Sequence, residues 1–135
     1  MKNILDAGPL IAWLNRHDEH HRWACNILER LVPPFYSCPE AMAEAAAMTG
    51  QPAAIVEMIQ AGEIRLNFDL AEQTAGVLVL LKKYADRDMD LADACIVRMT
   101  ELTRDSQVIT LDRADFSVYR RNGRDLIPLV APAAK

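Results

Sequence analysis

Asp6, Glu44, Asp93 and Asp112 are acidic residues that each fall where a strand ends or in the opening turns of a helix. They lie far apart along the chain, yet a parallel α/β fold gathers strand ends and helix starts at one edge. Carboxylates brought together raise one another's pKa and repel unless a cation lies between them. A donor set made only of oxygen suits hard ions such as Mg²⁺ or Mn²⁺. The chemistry to expect from such a set is metal-assisted hydrolysis.

Each residue also has a plain structural reading. Asp6 follows an apolar run and precedes a Gly-Pro turn, which suits a helix N-cap. Glu44 lies in the Ala/Met-rich stretch 41–48, where a buried charge needs a partner or an ion, although alanines also tolerate an exposed face. Glu40, one turn earlier on the same face, competes for the ligand role. Asp90 and Asp93, three apart at a helix start, share a face; the first suits an N-cap and the second favours the helix dipole. Asp112 and Asp115 follow a strand, with Thr110 placed to orient one of them. No single position decides between the readings.

Other chemistries are poorly supplied. His17, His20 and His21 stand together without a nucleophile motif, which reads as a surface cluster with a helper role left open. The five glycines are scattered and form no phosphate loop. Arg113, Arg120, Arg121 and Arg124 cluster near the C-terminus, as a solvated surface or a weak site for RNA phosphates or an acidic partner. A net charge of -4 argues against broad nonspecific nucleic-acid binding, but an acidic metal site itself supplies negative charge.

The elements that must position these residues follow from pattern and punctuation. At 135 residues the chain reads as one domain, 1–135, able to bury a core. An apolar strand through Asn3-Ile4-Leu5 ends at Asp6, and Gly8-Pro9 opens a helix. A second helix is expected from about Glu19 to Leu31, stopped by Pro33-Pro34. Ser37 reads as the N-cap of the next helix, with Pro39 in its first turn and Glu40 completing a capping box. Gly50 ends that helix, and 52–61 forms another before Gly62. A half-exposed strand over 63–68, a long helix from about Leu70, a helix from Asp90 to about Thr103 and a strand over 107–111 follow. A weaker strand over 126–130 contains Pro128, which belongs at a sheet edge. Strands separated by helices predict a mainly parallel sheet in a three-layer αβα sandwich.

The odd cysteine count (Cys25, Cys38, Cys95), with no metal-type spacing, reads as reduced thiols of a cytoplasmic protein. The N-terminus lacks a signal-peptide pattern, and no apolar run is long enough to span a membrane.

Four segments resemble the PIN-domain ribonucleases, and within them the VapC-like toxins of type II toxin–antitoxin systems. They are Leu5-Asp6-Ala7-Gly8-Pro9-Leu10, Ser37 through Glu44-Ala45, Asp90-Leu91-Ala92-Asp93-Ala94, and Thr110-Leu111-Asp112 with Asp115-Phe116. Asp18 to His21 with Trp23-Ala24 is similar to a segment that follows the first helices in that family. The resemblance spans nearly the whole chain in the family's order. It implies a PIN-like fold, Mg²⁺ or Mn²⁺ bound by Asp6, Glu44, Asp93 and Asp112, and Thr110 as the accompanying hydroxyl. It also implies RNA as substrate, a cognate antitoxin and a homodimer. Two other readings stand beside it: a catalytically idle PIN-like module that binds protein or RNA, and a metal phosphohydrolase acting on small phosphate esters.

Overall fold

The computed structural model describes residues 1–133. It is an α/β fold in which helices flank a five-stranded, all-parallel sheet, as in a three-layer αβα sandwich. The strand order is β3-β2-β1-β4-β7, with β1 Lys2–Leu5, β2 Phe35–Ser37, β3 Ile64–Leu66, β4 Ser106–Ile109 and β7 Leu129–Val130. Consecutive residues Ile4-Leu5 and Val108-Ile109 are all buried, which requires cover on both faces of the sheet.

The order places a topological switch between β1 and β4. From β1 the chain moves outward through β2 to β3, then returns to lay β4 on the other side of β1. Loops leaving the carboxyl ends of β1 and β4 therefore diverge and open a crevice. The register pairs Leu5 with Ile109, so Asp6 and Thr110 are the next residues on each strand. The amide of Asp6 still donates to the Ile109 carbonyl at 3.0 Å.

The helices are α1 Ala7–Leu14, α2 His21–Arg30, α3 Pro39–Thr49, α4 Pro52–Gln60, α5 Thr74–Lys83, α6 Leu91–Leu102 and the short α7 Arg113–Phe116. Helix α1 packs on α2 and α3, α3 on α6, and α5 on α6, which also crosses β1 and β4. Gly50 ends α3 in the left-handed conformation at φ 65°, where a side chain would be strained.

Several boundaries differ from expectation. Ser37 is not an N-cap: it is the last residue of β2, fully buried, and its hydroxyl donates to the Leu5 carbonyl of β1 at 2.7 Å. The cap of α3 is Cys38, which makes no side-chain capping bond, so the Ser37–Glu40 capping box does not form. Strand pairing claimed the serine because a buried hydroxyl must find an acceptor, and a neighbouring strand end supplied one. The long helix from Leu70 is interrupted: Asp69 caps a 3₁₀ turn at Leu70–Glu72, and α5 starts only at Thr74. Strand β3 is shorter than 63–68.

The expected 126–130 strand splits in two. β6 Asp125–Leu126 pairs antiparallel with β5 Arg120–Arg121 around Asn122 and Gly123, both at positive φ. β7 then pairs with β4 at the sheet edge, and Pro128, lacking an N–H, contributes its carbonyl to Val108 at 2.9 Å. Among the described residues no helix is long and apolar enough to cross a membrane, and all three cysteines are free.

Candidate active site

Asp6, Glu44, Asp90, Asp93, Asp112 and Asp115 line one cleft of about 410 Å³ at the carboxyl edge of the sheet. Asp88 joins them, and Gly8, Ile11, Met48 and Leu111 form the apolar parts of the wall. A methyl group on Gly8 would meet Leu111 Cγ at 3.1 Å, so the first turn of α1 lies close against this wall and a side chain at residue 8 would require Leu111 to shift.

Local structure fixes most of the acids. Asp6 is 7% exposed and caps α1, its Oδ1 accepting from the Ala7 amide at 2.9 Å. Its Oδ2 accepts from the Thr110 hydroxyl at 2.7 Å. That hydroxyl oxygen in turn accepts from the Asp112 amide at 3.0 Å, tying the two strand ends together. Asp112 caps α7 by accepting from the Asp115 amide at 3.0 Å, and Asp115 is ion-paired with Arg87 at 2.8 Å. Asp90 caps α6, its Oδ1 accepting from the Asp93 amide at 2.7 Å. Asp93 Oδ2 accepts from the buried Tyr119 hydroxyl at 3.2 Å. Capping and lining the cleft are thus the same act for Asp6, Asp90 and Asp112: one carboxylate oxygen satisfies the helix while the group stays at the crevice.

Burial and mutual repulsion act on this set. Burial pushes Asp6 up to about 6, opposed by its bonds from Thr110 and Ala7 and reinforced by Glu44 and Asp90. Burial lifts Asp93 to about 7, with Asp90 and Asp6 adding repulsion and the Tyr119 bond opposing it. Loss of water and the charge of Asp90 raise Glu44. Asp112 is raised by burial first and by Asp115, while Arg87 pulls it down. Four carboxyls held above their ordinary range along one cleft are proton-binding groups that a cation would displace protons from.

No family model matches the chain, and no curated protein matches it.

The donor set fits a hard divalent ion in kind, being carboxylate and hydroxyl oxygen throughout. It is not drawn tight around one point: among the described residues no three His, Cys, Asp or Glu side chains are close enough to hold a metal ion as they stand. Mg²⁺ keeps several waters and uses only one or two direct carboxylates, so a cleft of this width accommodates water-mediated ligands.

The rival glutamates separate. Glu44 reaches the cleft, whereas Glu40 does not line it and turns inward, its Oε1 buried and its carboxyl acting on the Cys95 thiol. The arginines at 113–124 divide among different tasks. Arg113 donates to the carbonyls of Ala131 and Pro132, Arg120 to those of Ser117, Val118 and Tyr119, and the buried Arg121 to that of Arg104. Arg124 is exposed. Of the histidines, His21 bonds the Ala12 carbonyl at 2.8 Å, while His20 lies beside a second hollow whose wall includes Leu111 and Asp112. Asp88, Arg87 and Tyr119 are site residues that sequence reading did not single out. Asp88 alone carried a signal, since Asp is among the few side chains that tolerate the left-handed backbone it adopts at φ 54°.

Proposed function

We propose that this protein is a metal-dependent endoribonuclease of the PIN-domain type, with the VapC-like toxin of a toxin–antitoxin pair as its biological role. The observation that carries this reading is the meeting of Asp6, Glu44, Asp93 and Asp112, drawn from four separate segments, along one cleft at the switch point of the sheet. The order of the resembling segments along the chain supports it.

Asp6, Glu44, Asp93 and Asp112 are the residues that would hold Mg²⁺ or Mn²⁺. Such an ion, when bound, lowers the pKa of a coordinated water to give a hydroxide nucleophile near neutral pH and stabilises charge on the scissile phosphate. The chain's own contribution is arrangement. Thr110 and the Ala7 amide fix both oxygens of Asp6, and Thr110 also positions the start of the Asp112 turn. Asp90 and Asp112 use part of their hydrogen-bonding capacity on caps, so their side chains stay at the crevice without added order. RNA phosphates are polyanionic, and this acidic cleft accepts them only once its charge is neutralised. Attack by water in line with the leaving oxygen gives 5′-phosphate and 3′-hydroxyl ends and needs no 2′-hydroxyl nucleophile. A partner that silences the site would place an Arg or Lys among the carboxylates, which matches the role of an antitoxin; homodimerisation belongs to the same reading.

The test is incubation of the purified protein with single-stranded RNA in Mg²⁺ or Mn²⁺ and in EDTA, beside Asp93→Asn. Metal-dependent cleavage leaving 5′-phosphates, absent in the variant, is the expected result; equal cleavage by Asp93→Asn would remove the site assignment.

The open spacing of the carboxylates favours a second reading, an idle PIN-like module that binds RNA or protein. RNA retained on the protein in EDTA, with no cleavage in either metal, would select it.

A further inference from the structure

Tyr119 lies outside the acidic set, on the segment between α7 and β5, and is the largest of the fully buried side chains. Its ring is held edge-on by two neighbours, Tyr84 at 5.0 Å and 63° and Phe116 at 5.2 Å and 79°. Its backbone amide donates to the Asp115 carbonyl at 3.0 Å. A fully buried ring clamped in this way leaves the phenol oxygen little freedom to move. That oxygen reaches the edge of the acidic cleft and donates to Asp93 Oδ2 at 3.2 Å.

This is the side-chain hydrogen bond that the Asp93 carboxylate receives among the described residues, beside the stabilisation that its charged form takes from the Asp90 backbone. Asp6, the buried acid of the set, is treated alike, with the Thr110 hydroxyl on its Oδ2. A hydroxyl fixed on one oxygen sets the torsion of a carboxylate and aims the second oxygen. Partners of this kind orient ligand side chains and tune their affinity for an ion.

We propose that Tyr119 is a positioning residue for Asp93, its hydroxyl holding Oδ2 so that Oδ1 is presented to a divalent cation in the cleft. The inference rests on the metal-site reading above. The rival is a buried phenol that takes the nearest acceptor and contributes to folding alone.

Tyr119→Phe keeps the ring contacts and removes only the hydroxyl. Tyr84→Phe is the matched control, because the Tyr84 hydroxyl accepts from the Arg120 amide and, among the described residues, donates to no carboxylate. Mn²⁺ binding is read by electron paramagnetic resonance on the metal-stripped full chain, together with melting in EDTA. In Tyr119→Phe the Mn²⁺ dissociation constant should rise by about 10- to 100-fold, with melting in EDTA close to the parent's. Tyr84→Phe should keep the parent's affinity. Parent-like Mn²⁺ affinity in folded Tyr119→Phe would overturn the inference and leave the metal site standing, whereas a parent that binds no Mn²⁺ would overturn both. Should Tyr119→Phe fail to fold, the parent carries the test through its tyrosine ultraviolet spectrum on saturation with Mg²⁺. A difference band retained in Tyr84→Phe is expected, since the ion withdraws charge from the carboxylate that the phenol bonds; an unchanged spectrum would overturn the proposal.

Discussion

The Thr110 hydroxyl donates to Asp6 at 2.7 Å across the ends of two adjacent parallel strands, joining residues 104 apart in sequence. It reports the strand register directly, since Leu5 faces Ile109 one step earlier. It also opposes the burial that raises Asp6.

Thr110→Val keeps the shape and removes the donor. We expect a loss of about 1–3 kcal/mol in stability, read by urea unfolding in EDTA at about pH 8, where Asp6 is ionised. The pKa of Asp6 should move further above 6, so the acid limb of metal-dependent activity should shift to higher pH. A pH profile that superimposes on the parent's would argue against this bond's role.

Stability of the metal-free protein should fall as pH rises. Asp6 and Asp93 have folded values of about 6 and about 7 against an ordinary 3.8. Below 3.8 both are protonated in folded and unfolded chains alike, and their full contribution is present. Above it the unfolded chain ionises first, so the folded state holds more protons and loses ground until the pH passes about 7. Melting in EDTA should therefore be higher at about pH 5 than at about pH 8, and Mg²⁺ should raise it more at the higher pH. Equal melting at both pH values would contradict the strained-acid account.

Neutralising one acid of the cleft should separate stability from activity. Asp6→Asn and Asp93→Asn remove repulsion while keeping size, so each should melt above the parent in EDTA at neutral pH. Each should also cut RNA at less than about one hundredth of the parent rate. Destabilised yet fully active variants would be the opposite of this expectation.

Ser37→Ala tests the correction at β2. Its hydroxyl bonds the Leu5 carbonyl between strands, so its loss should cost about 1 kcal/mol, or about 4 °C in melting, with little change in Mn²⁺ affinity. A capping serine would instead have been detectable through fraying of α3 in hydrogen exchange.

Sequence pattern located β1, β4 and most of the longer helices, because apolar runs and Gly/Pro punctuation report on local structure; the three-residue inner strand β2 was read only as the approach to a helix. Asp6 and Asp112 were legible because a residue that follows a strand and opens a helix or turn is marked by its position, and Asp90 because it opens a helix after a loop. Glu44 and Glu40 could not be separated, because one turn of helix puts both on the same face and only tertiary packing decides which enters the cleft. Ser37 was misassigned because strand end and helix cap share the same residue preferences. The β5–β6 hairpin was passed over despite its Asn122-Gly123 signal, since two-residue strands carry no alternation. Tyr119 was invisible: its meeting with Asp93 depends on how the segment after α7 returns across α6, and nothing local encodes that.

The most direct measurement is a calorimetric titration of Mn²⁺ into the metal-stripped protein at neutral pH, repeated with Asp93→Asn. The account predicts saturable binding accompanied by proton release, with both lost or greatly weakened in the variant. No binding at millimolar Mn²⁺, or identical isotherms for parent and Asp93→Asn, would contradict it.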